Sequence, residues 1–492
     1  MDRIGHKPDF DGLLGDKRLE RRAELISSSL LQSRSSSIHS ATKNEAEQRG
    51  FYRFLGNEAV NESVLIKEMI QRCVKNTMGK DVLVIQDTSS FGLSKNANNI
   101  KPGSGLGLVG NKTGLGFLSH VSLVLDAGSE DILGYCDLQL WHRTRDKSNN
   151  TTKVYKTEAI EEKESYKWIK AGKKTKDVLS QAAHVTIIQD REGDIYEQFC
   201  LVPDSRTSLI IRSRDNRRLA DGSKLHSVLR NAPVLGGYLL TLPADLRKDK
   251  TKRVVEMEVR CQKVSIKKPR NGVGKEIAEE KELYAIEARE KNNDTKDGVC
   301  WRLLTDQPTL SLEEALKIVY RYTQRWYIEQ LFRILKKQGF QIEESQLETG
   351  WAIRKLFLMV LNAALRVMQL YLAYGKEDCQ ELKEVFDQQE IDCLEAIEKN
   401  HLPKTPKTIN PYRKDKLSWA SWIIARLGGW KGNVKSQPAG PIIIKEDWIN
   451  LKISIKAGNL RHLKLKMCPN SSGNRLAIYH ANDPCYKDCL VG

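Results

Sequence analysis

The chain has 492 residues, enough for about three domains of ordinary size, and 40% of them are hydrophobic, which predicts buried cores and excludes a wholly disordered protein. Its 80 lysines and arginines outnumber its 63 aspartates and glutamates and leave a formal charge of +17. This excess favours a polyanionic partner, nucleic acid first, although charge alone is equally compatible with a soluble basic protein. The ten cysteines lack the paired spacing of a zinc site, and the polar N-terminus lacks the apolar core of an export signal.

The first 76 residues carry three helical patterns, over 19–31, 44–55 and 61–74, in a stretch rich in basic and hydroxyl side chains. Such a unit could bind DNA, and it could equally present a solvated basic face.

The periodicity changes at residue 81. Residues 82–85 and 185–188 are continuous apolar runs, typical of strands buried on both faces, and each is followed by Gln-Asp, at Asp87 and at Asp190. Acids at the carboxyl ends of parallel strands lie where open α/β sheets bind ligands. A strand-end aspartate is also a common turn or cap residue, and Asp194 competes with Asp190 for the role.

The segments around these two strands predict further elements. A glycine-rich loop over 103–116 precedes a hairpin of strands 117–125 and 132–141, and a helical region follows over 153–181. A strand over 208–211 leads into a basic run of Arg212, Arg214, Arg217 and Arg218. Residues 219–304 form a strand-rich insertion, and helices follow over 311–337, 350–375, 380–399 and 417–427. The apolar helix 356–374 contains Asn362, Arg366 and Gln369, which fit a buried or interface helix better than a membrane span.

One predicted helix carries a third candidate acid. Offsets of 3, 4 and 7 residues bring Tyr322, Arg325, Glu329 and Lys336 to one helix face. By itself this face could be a surface ladder of ion pairs. Together with Asp87 and Asp190, however, Glu329 would supply the hard oxygen ligands of two Mg²⁺ ions, or Mn²⁺ in their place, while Arg325 and Lys336 hold phosphates.

The spacing Tyr322-x2-Arg325-x3-Glu329-x6-Lys336 resembles the Tyr-Arg-Glu-Lys signature of the insertion-sequence-four family of DDE transposases, which includes the transposon-five transposase. Residues 14–18 and 50–54 resemble the family's N-terminal DNA-recognition unit, and residues 86–90, 162–168 and 190–194 resemble further family segments in the same order. The likeness covers residues from about 14 to 375. The loop 91–116 and the tail beyond about residue 444 depart from the family pattern.

This resemblance implies an α/β fold with a ribonuclease-H-like catalytic core, a β-rich insertion, and helical domains at both ends. The implied domains are a helical DNA-end recognition domain over 1–76, a catalytic domain over 77–342 with its insertion at about 219–304, a helical dimerisation domain over 343–435, and a tail of unknown role over 436–492.

The resemblance also implies roles for single residues. Asp87, Asp190 and Glu329 would be the catalytic metal ligands, and Trp301 would stack on a flipped base near the cleaved end. The alternative for Trp301 is a buried strand tryptophan. Tyr322, Arg325 and Lys336 would contact DNA, as would three arginines of the basic run: Arg212, Arg214 and Arg217.

The implied activity is cut-and-paste DNA transposition. One strand is nicked at the transposon end, the new 3′-hydroxyl attacks the opposite strand to form a hairpin, water opens the hairpin, and the 3′ ends join target DNA. The implied partners are double-stranded DNA, as inverted-repeat ends and as target, and a second copy of the chain in a synaptic homodimer. The expected location is the bacterial cytoplasm at the nucleoid, without a membrane partner.

Two other functions are compatible with the sequence. The chain could be an inactive or domesticated protein that binds transposon ends, or a general nuclease with the same core. Cleavage with Mg²⁺ at specific ends separates these readings from a transposase.

Overall fold

The structure is a computed structural model that describes residues 8–31, 33, 35–110, 114–144, 158–242, 251–270, 274, 276–293, 298–336, 339–401, 409–427, 444, 464–470 and 473–479. Most of the tail predicted over 436–492 lies outside the described residues. Within it, strands β11 (Lys464–Asn470) and β12 (Gly473–Tyr479) pair in antiparallel fashion.

The N-terminal region is helical, as predicted. Its helices are α1 (Lys17–Leu31), a single-turn α2 (Ile38–Ala41), α3 (Glu45–Gly56) and α4 (Glu62–Thr77). Asn44 and Asn61 cap α3 and α4, because their side-chain oxygens accept the backbone amides of Glu47 at 2.9 Å and Val64 at 3.0 Å.

A ten-stranded mixed sheet follows. β1 pairs in parallel with β5 and β5 with β6, whereas β3 runs antiparallel to β1 and carries β4 on its other side. The order β4-β3-β1-β5-β6 is that of a ribonuclease-H-like core, so the predicted fold class is confirmed. The strands are β1 (Asp81–Gly92), β2 (Gly107–Val109), β3 (Gly114–Asp126), β4 (Ile132–Trp141), β5 (His184–Gln189), β6 (Thr207–Arg212), β7 (Val234–Leu242), β8 (Arg253–Lys267), β9 (Glu280–Glu290) and β10 (Cys300–Thr305).

The β-rich insertion extends the same sheet rather than forming a separate one. β7 to β10 form an antiparallel meander, and β10 pairs with β6 through three residue pairs, Leu303 to Thr305. The sequence prediction missed helix α7 (Leu225–Asn231) at the start of this region. It was also wrong about the loop 103–116, because β2 and the start of β3 pair within it.

Nine helices of the described residues follow the first core hairpin: α5 (Tyr166–Val178), α6 (Tyr196–Leu201), α7, α8 (Leu312–Thr323), α9 (Trp326–Leu335), α10 (Gly350–Ala373), α11 (Leu382–Val385), α12 (Gln388–His401) and α13 (Leu417–Leu427). The region predicted as helical over 153–181 contains α5, and its residues 153–157 lie outside the described residues. The helix predicted over 380–399 is two helices, α11 and α12.

The two faces of the core sheet pack against different helices. In β1, Leu83 and Ile85 belong to the cluster that contains α9 and α10, whereas Val82 and Val84 belong to the cluster that contains α6 and α7. Side chains alternate between faces along a strand. The position of a residue in the strand therefore decides which helices it meets.

Helix α10 lies at the centre of the protein, in contact with α1, α3, α4, α9 and α13. Among the described residues it is the one helix long and apolar enough to cross a membrane, yet 94% of its most apolar window is buried inside the protein. The predicted buried helix is confirmed. Two of its polar side chains have partners in α4: Arg354 pairs with Glu62 at 2.7 Å, and Asn362 accepts a hydrogen bond from Arg72. These contacts fix α4 to α10.

Candidate functional site

Asp87 and Asp190 lie side by side, each two residues beyond the last parallel residue pair of β1 and β5. The Gln189 amide donates to the Gln86 carbonyl oxygen at 2.6 Å, and the Gln86 amide donates to the Thr175 hydroxyl of α5 at 3.2 Å. Both glutamines are fully buried on the α5 face of the sheet. By alternation Asp87 and Asp190 point to the opposite face, the one covered by α9. The repeated Ile-Gln-Asp ending is the sequence signal for this arrangement.

Asp87 lies in the middle of β1 rather than at its C-terminal end, where it was predicted. The strand continues for five more residues because β3 pairs with it as far as Gly92. The parallel pairing of β1 with β5 nevertheless stops at Ile85, so Asp87 still lies just beyond the parallel part of the sheet.

Asp190 and Asp194, which were alternatives in the sequence, have different surroundings. Asp190 is half-buried, and its Oδ1 accepts the Glu192 amide at 2.8 Å, which orients the carboxylate at the start of a short 3-10 turn. The Asp194 side chain is 0% exposed and is held by Arg217, whose Nε donates at 2.8 Å. Gly193 fits between them because a Cβ there would lie 2.2 Å from the Gln189 side chain. Asp194 is therefore structural, and Asp190 faces the site.

The third acid comes from a helix that is broken where the sequence predicted continuity. α8 ends at Thr323, Gln324 and Arg325 form a turn, and α9 begins at Trp326. The turn is closed by backbone bonds from Arg325 to Tyr322 at 3.1 Å and from Gln324 to Arg321 at 3.2 Å. Glu329 lies in the first turn of α9, half-buried.

Arg325 joins the acids from distant parts of the chain. Its guanidinium pairs with Asp87 at 3.2 Å and donates a second hydrogen bond to Glu329, four residues later. Burial raises the pKa of Asp87 to about 7, assisted by the charges of Asp190 and Glu329 and opposed by Arg325. Burial also raises the pKa of Asp190. The structure thus brings Asp87, Asp190, Glu329 and Arg325 together.

The predicted stacking tryptophan and two predicted DNA contacts form a second group beside the acids. Trp301 is half-buried on β10, and its ring centroid lies 6.4 Å from that of Tyr322. Tyr322 is only 5% exposed and is bonded to Arg212, which also donates to the Cys300 carbonyl at 3.4 Å. Tyr322 is therefore a buried support for Trp301 and Arg212. Its direct DNA contact remains a prediction.

The other predicted DNA contacts are dispersed. Arg214 is exposed and pairs with Asp215 at 3.1 Å, so its guanidinium remains accessible to a phosphate. Arg217 is 10% exposed and holds Asp194, so the predicted phosphate contact conflicts with its position in this structure. Lys336 directly follows α9 and lies over the Phe91 ring, 5.0 Å from its centroid; burial lowers its pKa.

Sequence analysis missed a buried histidine behind Asp87. His120 shares a hydrogen bond with the Thr88 hydroxyl at 2.9 Å and meets Trp168 edge-on, with ring centroids 4.6 Å apart. Burial lowers its pKa to about 3, assisted by the charge of Lys167. His120 is therefore neutral at ordinary pH and has a packing role.

The donor set fits divalent metal ions in kind. Carboxylates are the hard oxygen ligands of Mg²⁺, and the pKa values of Asp87 and Asp190, raised mainly by burial, mean that their ionised forms are unfavourable without a bound cation. Within the described residues no group of three or more acidic, histidine or cysteine side chains is gathered closely enough to hold a metal as it stands. Binding a metal ion here would therefore require side-chain movement, including release of Arg325 from the acids.

The raised pKa of Asp87 predicts a pH-dependent effect on stability. In metal-free protein, Asp87→Asn is expected to increase the free energy of unfolding at pH 8 by about 1–3 kcal/mol. The folded-state pKa of about 7 lies above the ordinary 3.8, so the Asp87 carboxyl ionises at lower pH in the unfolded chain. The free energy of unfolding of the wild type therefore falls as the pH rises between these two values, and the loss is constant above them. The gain should vanish near pH 4. Urea titrations in chelator at pH 4 and pH 8 measure it, and an equal gain at both would contradict the assignment.

Comparisons with known protein families match two segments of the chain. Residues 11–60 match the family model described as Transposase DNA-binding, and residues 134–366 match the one described as Transposase DDE domain. The second match includes Asp190 and Glu329, whereas Asp87 precedes it on a strand of the same sheet.

Among solved structures, the chain is similar to one entitled "Cryo-EM structure of piggyBac transposase synaptic complex with hairpin DNA (SNHP)". The identity is 10% and the TM-score is 0.36, with 90% of this chain and 71% of that chain covered. A likeness of this strength supports no conclusion by itself. The two domain matches, a transposase DNA-binding domain followed by a transposase DDE domain on a ribonuclease-H-like sheet, support a DDE transposase.

Proposed function

We propose that the protein performs cut-and-paste transposition, cleaving DNA at transposon ends in a metal-dependent reaction, passing through a hairpin, and joining the ends to target DNA. The proposal depends mainly on one observation: Arg325 joins Asp87 and Glu329, from sites 242 positions apart in the sequence, beside Asp190. If the face of Tyr322, Arg325, Glu329 and Lys336 carried only surface ion pairs, acids from three separate elements would not need to meet at one half-buried position.

Asp87, Asp190 and Glu329 are the residues that would hold the metal ions, two Mg²⁺ by analogy with other phosphoryl-transfer sites or Mn²⁺ in their place. When bound, such ions stabilise charge on the attacking and leaving oxygens of a phosphodiester. The Glu192 amide orients Asp190, and the buried Gln86–Gln189 pair holds the two strand ends together. These supports hold the two aspartates near each other, and binding a metal would still need side-chain movement.

Arg325 has a double role in the proposal. In the free protein its guanidinium offsets part of the repulsion among the acids. A guanidinium has five N–H donors and binds phosphate bidentately, so Arg325 would turn to the DNA backbone as the carboxylates take metal. Exposed Arg214, with Arg212 beside Trp301, would extend this phosphate contact along β6.

The proposed partners are double-stranded inverted-repeat ends, target DNA and a second copy of the chain. The formal charge of +17 and the DNA-binding match over 11–60 support the first two. Because α10 is covered within one chain, pairing through the region 343–435 would use α11 to α13 or surfaces around them.

An end-cleavage assay tests the function. A labelled duplex carrying the flanking inverted repeat is incubated with protein and Mg²⁺, and products are separated under denaturing conditions. The proposal predicts a nick at the end, then a hairpin, and loss of both in chelator. Binding of the end without nicking would indicate an inactive end-binding protein. Cutting that ignores the end sequence would indicate a general nuclease.

Trp301→Ala is expected to slow hairpin formation about tenfold or more while slowing the first nick by less than about threefold, because base stacking on an aromatic ring is worth about 1–3 kcal/mol. Time courses of nicked and hairpin products measure both rates. Trp301→Phe, which retains a ring, is the matched control and should recover most of the hairpin rate. Equal slowing of both steps would contradict the stacking role.

A further inference from the structure

The turn between β3 and β4 contains a residue in an unfavourable backbone conformation. Glu130 has φ of 60°, in the left-handed region that favours glycine or asparagine. Asp126 already organises the turn, since its Oδ1 accepts the amides of Gly128 at 2.9 Å and Ser129 at 3.1 Å. The turn itself therefore gains nothing from a glutamate at position 130. A residue held in this region is a reason to examine what its side chain does.

The Glu130 carboxylate binds the break between α8 and α9. Oε1 accepts the Tyr320 hydroxyl of α8 and the Gln324 side-chain amide of the intervening turn at 3.2 Å. Oε2 accepts the Tyr327 hydroxyl of α9 at 3.1 Å, and the Lys376 ammonium lies 3.8 Å away. One half-buried carboxylate thus joins both helices and the turn between them.

Glu329 and Arg325 project from the other side of this same break. At about 100° per residue, Tyr320, Gln324 and Tyr327 share one side of the helical path, and Arg325 and Glu329 lie about 100–180° away from them. Arg325 follows Gln324 directly, and its guanidinium reaches Asp87. A shift of the break would therefore move Arg325 and Glu329 relative to the sheet.

We infer that Glu130 is a positioning residue, whose carboxylate holds the α8–α9 break in the arrangement that sets Arg325 and Glu329 against Asp87; its effect on catalysis rests on the proposed function of that site. The bonds to Tyr320, Gln324 and Tyr327 span 190 to 197 positions of the chain. The turn between β3 and β4 thereby fixes α9, the helix that carries Glu329. Bonds to a charged carboxylate are the stronger kind.

Glu130→Gly is the test variant, because glycine suits the left-handed conformation and the turn loses no backbone stability. Asn292, an exposed residue with φ of 57° in the insertion, is the matched position, and Asn292→Gly is the control. The double variant Tyr320→Phe with Tyr327→Phe removes the two hydroxyls from the other side and should reproduce the effect of Glu130→Gly.

The first measurement needs neither metal nor activity. Hydrogen exchange of the backbone amides from Gln324 to Ile328 is expected to become about tenfold faster in Glu130→Gly, because local opening there loses its carboxylate. The control should leave these amides unchanged. Glu130→Gln, whose amide oxygen still accepts hydrogen bonds, should recover part of the protection. Unchanged exchange in Glu130→Gly would overturn the inference.

The second measurement is the single-turnover rate of end cleavage at saturating DNA and Mg²⁺. Glu130→Gly should lower it about 10- to 100-fold, as misplacement of catalytic groups does, while DNA binding and melting temperature stay at wild-type values. Faster exchange with a wild-type cleavage rate would overturn the positioning role. If the wild-type chain itself fails to cleave, the proposed function falls, and the exchange result alone decides whether Glu130 holds the break.

Discussion

Asp190→Asn is expected to lower the rate of end nicking by at least about 1,000-fold, equivalent to about 4 kcal/mol of lost transition-state stabilisation, while end binding stays within a few-fold of wild type. An amide keeps the shape of the carboxylate and can still accept the Glu192 amide, but it removes the negative charge that a metal ligand requires. Single-turnover nicking and gel-shift binding on the same end duplex measure the two effects.

Stability provides the control for this variant. Burial raises the pKa of Asp190, so its ionised form is unfavourable in the metal-free protein, and asparagine there should leave the fold as stable as wild type or more so. Nicking at the wild-type rate would remove Asp190 from the metal site. Loss of end binding together with nicking would assign it to DNA recognition instead.

Asp194→Asn, four residues later, is expected to have the opposite result. Its side chain is fully buried and paired with Arg217, and breaking a buried pair leaves an uncompensated charge at a cost of about 3 kcal/mol. The free energy of unfolding from urea titration should fall by that order, while the nicking rate per folded molecule stays within a few-fold of wild type. Asp194→Asn therefore separates loss of fold from loss of chemistry.

The two variants decide between the two aspartates that the sequence left open. If Asp194→Asn abolished nicking without loss of stability, and Asp190→Asn retained it, Asp194 would be the ligand. The geometry disfavours that outcome because both oxygens of Asp194 are occupied: Oδ1 by Arg217, and Oδ2 by the Arg214 amide at 2.7 Å.

The parallel strands of the sheet could be predicted from the sequence because their apolar pattern indicates how they are buried. Residues 82–85 and 185–188 are apolar throughout, as strands covered on both faces must be, and both proved to be parallel strands. The repeated Gln-Asp ending predicted adjacent acids, and the Gln86–Gln189 hydrogen bond is its physical basis.

Features that depend on distant contacts could not be predicted. Helical periodicity continues through Gln324 and Arg325, so the break there gave no local signal; its Gln324 side chain donates to Glu130, nearly 200 positions earlier. Arg217 resembled its neighbours in a basic run, and only the buried Asp194 distinguishes it. The N-terminal helices gave no indication that their carboxylates, such as Glu62, pair with α10.

Manganese bound to crystals of the protein with a cleaved transposon end tests the central claim most directly, because the anomalous signal of Mn²⁺ locates the ion independently of the protein atoms. We expect the peak within coordination distance, about 2.0–2.6 Å, of carboxylate oxygens from Asp87, Asp190 and Glu329, with Arg325 moved to a DNA phosphate. Manganese elsewhere, with Arg325 still joining Asp87 to Glu329 beside bound DNA, would contradict the account.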